Sequence, residues 1–148
     1  MIKQNMIKEN LSDQFKDKII IVTGSTQGSG AETAKLLASR GAKGITICGR
    51  NEKNGKKVKS AIESLGTECI YVKANLENLK DCKKIISQTD KKFGTVNTLI
   101  NSAAYTGRGT ILSTSQKEYE KMFNVNTRAP FFLMQDVIKI MIRDKVKG

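Results

Sequence analysis

The feature that most limits what this chain can fold into is an alternation. Four short apolar runs, mostly β-branched, are each followed by a loop or a segment of helical periodicity. Lys18–Thr23 (KIIIVT), Ile45–Cys48 (ITIC), Cys69–Val72 (CIYV) and Asn97–Asn101 (NTLIN) read as strands. The first is apolar without interruption, as a strand covered on both faces requires. Ala31, Ala34, Leu37 and Ala38 share one helical face, and Gly41 marks that helix's stop. Val58, Ile62 and Leu65 stripe a second helix ending at Gly66, and Leu79, Cys82, Ile86 and Phe93 a third ending near Gly94. A loop from Tyr105 to Thr114 follows. Ser115-Gln116-Lys117-Glu118 then has the S-x-x-E form of a capping box and opens a fourth helix. Pro130 predicts a break near Asn126 and a new helical segment to about Asp144. Strands alternating with helices predict an α/β fold: a doubly wound parallel sheet, right-handed crossovers and strand order 3-2-1-4. The expected organisation is a loosely held lead-in over 1–16, with Met6 as an alternative start, and one domain over 17–148.

Composition narrows the chemistry. The chain has no histidine, which excludes Ser-His-Asp and Cys-His catalytic pairs and histidine-ligated metals within these 148 residues. Its three cysteines, Cys48, Cys69 and Cys82, form no C-x-x-C, so neither a disulfide framework nor a thiolate zinc site is expected. Cys48 and Cys69 sit in apolar runs and read as buried thiols in a reducing cytoplasm. No stretch has the run of ~20 apolar residues that crosses a membrane, and the polar N-terminus lacks the apolar core of a secretory signal. The net charge of +12 gathers in lysine runs such as Lys53–Lys59 and Lys80–Lys84. These read as solvated helix faces. Nucleic-acid binding is the less favoured reading, because aromatics are 5 % of the chain and none interleave with the basic runs. A basic field still draws anionic ligands, phosphates included.

The first strand runs directly into Thr23-Gly24-Ser25-Thr26-Gln27-Gly28-Ser29-Gly30, with glycines spaced G-x-x-x-G-x-G before a helix. Gly24 permits the tight turn, Gly28 lets backbone approach a pyrophosphate, and Gly30 lets the helix pack closely on the sheet. Phosphates there meet free N–H groups and the positive end of the helix dipole. The second strand ends in Gly49-Arg50, about where a dinucleotide fold places the residue that selects the ribose. No carboxylate stands there. Gly49 leaves space, and Arg50 offers a planar donor fork suited to a 2′-phosphate, which favours NADP over NAD.

With TGSTQGSG at 23–30, CGR at 48–50, ANL at 74–76, NSAA at 101–104 and NVNTRAPFF at 124–132, the chain resembles the classical short-chain dehydrogenase/reductase family. The segments come in family order from residue 18 onward. The resemblance implies a Rossmann-type fold, incomplete on its C-terminal side. It implies that Gly24, Thr26, Gln27, Gly28, Ser29 and Gly30 line the pyrophosphate and adenosine ribose, and that Arg50 meets the 2′-phosphate. Asn75 and Leu76 would hold the adenine edge. Asn101, Ser102 and Ala103 would lie beneath the nicotinamide ribose. Asn126 would be the helix-breaking asparagine of the catalytic tetrad, its carbonyl holding a water in the proton relay. No metal is implied.

The sequence departs from the family pattern at several points. Asn75 stands where Asp is usual, Ser29 where an apolar residue is usual, and NSAA replaces N-N-A-G. Gln27 is neutral where many NADP-preferring members are basic, so the NADP preference rests on Arg50. The family's serine and Tyr-x-x-x-Lys pair would follow residue 148. Four residues beyond Tyr71, Tyr105 and Tyr119 stand Asn75, Gly109 and Phe123, none of them lysine. The expected function is therefore the cofactor-binding part of an NADP(H)-dependent oxidoreductase interconverting a small-molecule carbonyl and an alcohol, inactive as these 148 residues alone. The alternative functions are a non-enzymatic dinucleotide-binding module and a nucleic-acid binder. Phe131–Ile142 (FFLMQDVIKIMI) is apolar on nearly every side, which predicts a homo-oligomer formed through the helical region 116–144.

Overall fold

A computed structural model describes residues 13–147. Its elements are β1 (Ile19–Val22), α1 (Gly28–Ser39), β2 (Gly44–Gly49), α2 (Glu52–Glu63), β3 (Glu68–Lys73), α3 (Leu79–Phe93), β4 (Thr98–Ile100), α4 (Gln116–Phe123), a π-helical stretch (Asn124–Arg128) and α5 (Ala129–Arg143). Every strand pairing is parallel, and the sheet order is β3-β2-β1-β4. This is the α/β, doubly wound arrangement that the alternation predicts.

The unbroken apolar run of β1 follows from its central place. Ile20 and Val22 enter a core with α1 and α2, while Ile21 enters a second core with α3 and α5. Each fully buried side chain of this size contributes roughly 1.5–3 kcal/mol. Thr46 of β2 faces the second core and is satisfied there by the Thr89 hydroxyl of α3 at 2.8 Å. Side chains also extend the ladder between β1 and β4. Asn97 Oδ1 accepts from the Ile19 N–H at 2.8 Å.

Several expectations need correction. Leu65 lies beyond the end of α2 and is exposed, because that helix stops at Glu63. On α3 the buried face comprises Cys82, Ile85, Ile86 and Thr89, while Phe93 is only half-buried, against Gly44. The predicted break near Asn126 is not a break. Residues 116–143 wind continuously, and the irregularity is a wide turn. In a regular helix Pro130 would give no N–H to the Asn126 carbonyl and its ring would press on that group. Widening the turn relieves the clash without ending the helix.

Residues 1–12 of the expected lead-in lie outside the described residues, and its last residues are tied down. Phe15 packs on the α1–α2 core and its N–H donates to the Arg40 carbonyl at 2.9 Å, while Lys16 bridges Ala42. At the other end Arg143 donates to both oxygens of Asp90, at 2.9 and 2.8 Å, and so ties α5 to α3. Among the described residues no helix is long and apolar enough to cross a membrane. Ala129, Leu133, Val137 and Ile140 face the sheet, whereas Tyr119, Phe123, Phe131, Met134, Ile138 and Ile142 form an exposed apolar stripe along the same helical run.

Candidate functional site

The carboxyl ends of all four strands open into one cleft of about 790 Å³. β1 lies between strands that leave it in opposite directions, so the cleft sits where open α/β sheets place their ligands.

The loop leaving β1 is held from inside by two buried hydroxyls. Thr23 Oγ1 accepts from the N–H groups of Ser102 and Ala103, both at 3.1 Å, which joins the loop to the residues after β4. Ser25 Oγ donates to the Val22 carbonyl at 2.5 Å and accepts from the Cys48 N–H at 3.1 Å, which joins it to β2. The glycines have distinct reasons. Gly24 has φ +63°, and a Cβ there would stand 2.6 Å from Ala103 Cα. A Cβ on Gly30 would stand 2.6 Å from the Gly24 carbonyl oxygen, so this glycine lets α1 close onto the loop. Gly28 has φ +57° and nothing within 4 Å of where a Cβ would be. Its backbone borders open cleft. Gln27 precedes α1 without capping it through its side chain, and the first turn carries no acid. The first N–H groups of a helix lack intrahelical partners, so this end is an anion seat.

Arg50 follows β2 on the opposite lip. It is exposed, lines the cleft and makes no ion pair among the described residues. The space beside Gly49 is taken up by Thr26, whose Oγ1 would be 2.6 Å from a Cβ at position 49. Gly49 thus makes room for the loop's own threonine, a correction to the expectation that it leaves the space open. Cys48 also touches the cleft, but burial pushes its thiol up to about 12, so it stays protonated and is no nucleophile.

The far lip is built by Ala74–Glu77 after β3, Ser102–Thr106 after β4, and Lys121 and Val125 from the helical run above. The capping box forms by half. Ser115 Oγ accepts from the Glu118 N–H at 3.2 Å, but the Glu118 carboxylate accepts from the Tyr105 hydroxyl at 2.7 Å. The Lys121 ammonium lies 3.9 Å from the centre of the Tyr105 ring, within cation–π range. Asn126 reaches the backbone of the same tyrosine. Its Oδ1 accepts from the Tyr105 N–H and its Nδ2 donates to the Tyr105 carbonyl, each at 2.8 Å.

A glycine-bearing strand–loop–helix at the switch point of a parallel sheet agrees with the sequence comparison, in which the model of the short chain dehydrogenase family matches residues 18–148. The chain belongs to the short-chain dehydrogenase family. It is 32 % identical over 127 residues to an uncharacterized oxidoreductase of Thermotoga maritima, covering 86 % of this chain and 49 % of that protein. It is 31 % identical over 130 residues to tropinone reductase-like 3 of Erythroxylum coca, covering 87 % and 50 %. A metagenomic short-chain oxidoreductase solved in complex with NADP shares the fold with a TM-score of 0.83 at 23 % identity, over 89 % of this chain and 60 % of that one. The chain thus spans about half the length of the curated relatives it matches.

Within this short-chain dehydrogenase scaffold, Gly24, Thr26, Gln27, Gly28, Ser29, Gly30, Arg50, Asn75, Leu76, Ser102 and Ala103 all line the cleft. Asn101 and Asn126 do not. Asn101 is exposed beyond the end of β4, and Asn126 acts on the wall through Tyr105. Sequence reasoning missed Thr23 and Ser25, whose hydroxyls brace the loop, and Tyr105, Lys121 and Val125 of the far lip. Val125 carried a signal, since it adjoins Asn126 in the quoted NVN run. Tyr105 and Lys121 carried none, because their meeting depends on how the loop folds back onto α4.

Proposed function

We propose that the chain is the dinucleotide-seating part of an NADP(H)-dependent oxidoreductase that interconverts a carbonyl and an alcohol. The carrying observation is an α1 N-terminus without a side-chain cap behind an open Gly28, facing an exposed Arg50 that makes no ion pair among the described residues. The N–H groups of the first turn would hold the pyrophosphate, with Thr26, Gln27 and Ser29 beside it. Arg50 would hold a 2′-phosphate in a bidentate fork, which favours NADP over NAD. The solved neighbour with bound NADP supports this choice. Asn75 and Leu76 would border the nucleobase, and Ser102 and Ala103 the inner ribose, with Asn101 just behind them. A nicotinamide held there would supply the hydride to a carbonyl or take it from an alcohol.

Asn126 is the residue of this chain assigned to the proton path. It positions the loop through Tyr105, and its carbonyl, facing proline at position 130, gains no regular helical partner from that residue. None of the three tyrosines has a lysine four residues on, so the 148 residues tested by themselves bind dinucleotide without turning over a ketone or alcohol. The exposed apolar stripe along α4 and α5 would mediate self-association, and a reducing cytoplasm suits the three thiols.

Calorimetry with NADP and NAD tests the reading. Heat with NADP, a weaker response with NAD, and loss of both on Gly24→Val support it. No heat with either nucleotide, or equal affinity for both after Arg50→Ala and before it, would sink the reading or its NADP preference respectively. Turnover by this chain, lost on Asn126→Ala, would refute the inactivity.

A further inference from the structure

The cleft wall after β3 is fixed so that Asn75 has one kind of group to offer. Its N–H donates to Asp81 Oδ2 at 2.8 Å, and its carbonyl accepts from the Asn78 N–H at 2.9 Å. Its side-chain Oδ1 accepts from the Glu77 N–H at 3.2 Å. Arg128 Nη2 holds the Glu77 carbonyl at 2.7 Å, so the turn is gripped from the helical run as well. A backbone N–H needs an acceptor, and Glu77 therefore decides which end of the Asn75 amide is oxygen. Turning the amide over would set two donors against each other. The end left over is Nδ2, which has no hydrogen-bond partner among the described residues.

Register places this amide next to Arg50. Gly49 pairs with Lys73 across β2 and β3, and the Ala74 N–H still reaches the Gly49 carbonyl at 3.2 Å. Arg50 and Asn75 therefore stand on neighbouring strand ends, at one end of the cleft. If Arg50 takes the tagged ribose, the base attached to that ribose lies within reach of Asn75.

Resting on the dinucleotide reading above, we infer that Asn75 reads the purine as a hydrogen-bond donor and does not require a 6-amino group. Adenine offers the acceptors N1 and N7, and a 6-oxo purine offers O6 and N7, so a donor suits both. A carboxylate at position 75 would only accept. It would pair with the 6-amino group and repel a 6-oxo group. The cleft is thus built to take hypoxanthine dinucleotides alongside adenine ones, and the side chain at 75 sets that tolerance.

Calorimetric titration of the 148-residue chain with NADP and with its hypoxanthine analogue tests this. The expected native affinities lie within about threefold of each other. Asn75→Asp keeps an oxygen for the Glu77 N–H, and should move the ratio at least tenfold toward NADP with its melting temperature preserved. The native ratio is informative without any variant. A tenfold or larger native preference for NADP would overturn the inference, assigning the amino group to another acceptor such as Glu77 in the same wall. An unchanged ratio in a folded Asn75→Asp would also overturn it. Absence of binding by both nucleotides strikes the dinucleotide reading itself, a distinct outcome from binding with strong adenine preference.

Discussion

Asn126 clasps Tyr105 by both backbone groups at once, with its amide oxygen on the N–H and its amide nitrogen on the carbonyl, each at 2.8 Å. The pairing imitates one rung of a sheet ladder. It is made from a helix, and it fastens the first residue of the loop that follows the Ser102–Ala104 segment of the cleft. The same tyrosine is held at its hydroxyl by Glu118 and across its ring by Lys121. Three residues of one helical run therefore grip one residue of the wall.

Replacing Asn126 by Ala removes both bonds. The expected cost is about 1 kcal/mol at this exposed site, with a larger local effect. Amide exchange at Tyr105 and Thr106 should accelerate while exchange in β1 and β2 stays as in the native chain. Equal loss of protection everywhere would show that the clasp holds the whole fold and not the loop.

The glycines at 28 and 30 should separate binding from stability. Gly30→Ala forces a Cβ against the Gly24 carbonyl oxygen, and overpacking of this kind costs about 1–3 kcal/mol. Gly28→Ala meets no atom and costs about 1–2 kcal/mol for its left-handed backbone alone. Denaturant melts should rank Gly30→Ala as the more unstable. Calorimetry should show that Gly28→Ala also weakens dinucleotide binding, because its methyl group points into the open cleft.

Alkali should destabilise the fold through its thiols. Burial raises Cys48 and Cys69 from the usual 9.0 to about 12 in the folded chain. A group raised on folding lends full stability below its unfolded value, and that stability is lost as pH climbs toward the folded value. Melting temperature should therefore hold steady to about pH 9 and decline from there toward pH 12. A double Cys48→Ala, Cys69→Ala variant, less stable at neutral pH, should show a flatter decline. Native thiols should resist alkylation at pH 8 and react once the chain is unfolded.

The exposed stripe predicts association. Ile138→Lys places a charge in its centre, and Ile138 has no place in either core. Light scattering should show a smaller species for this variant than for the native chain, with unchanged circular dichroism. A native chain that is monomeric at high micromolar concentration would contradict self-association through this face.

The sheet was legible because its signals are local and repeated. Ile20 and Ile21 point to opposite cores, and an uninterrupted apolar run is the only pattern that serves both. The glycine loop was legible because backbone geometry restricts those positions to one residue type. Contacts between distant side chains were not. The S-x-x-E pattern predicts a reciprocal cap, yet Glu118 is diverted to Tyr105, a partner brought in by a loop of irregular path. Gly49 reads as open space in one dimension, while in three dimensions Thr26 fills it. Asn75 reads in the sequence only as an amide where Asp is usual, and the fold is needed to show that the Glu77 N–H occupies its oxygen. Leu65 fits a helical stripe, but the chain leaves the helix before reaching it.

The wide turn at Asn124–Arg128 sets the phase between two halves of one rod. A residue added to a helical turn rotates everything after it by about 100°. Lys121, upstream, and Val125, at the start of the turn itself, line the cleft, and downstream Leu133, Val137 and Ile140 are aimed at the sheet. Excising a single residue from this stretch would regularise the winding and swing one of those two sets out of alignment. The bulge is thus a gear between ligand wall and interior, and a one-residue deletion there should harm the molecule more than most substitutions in either half.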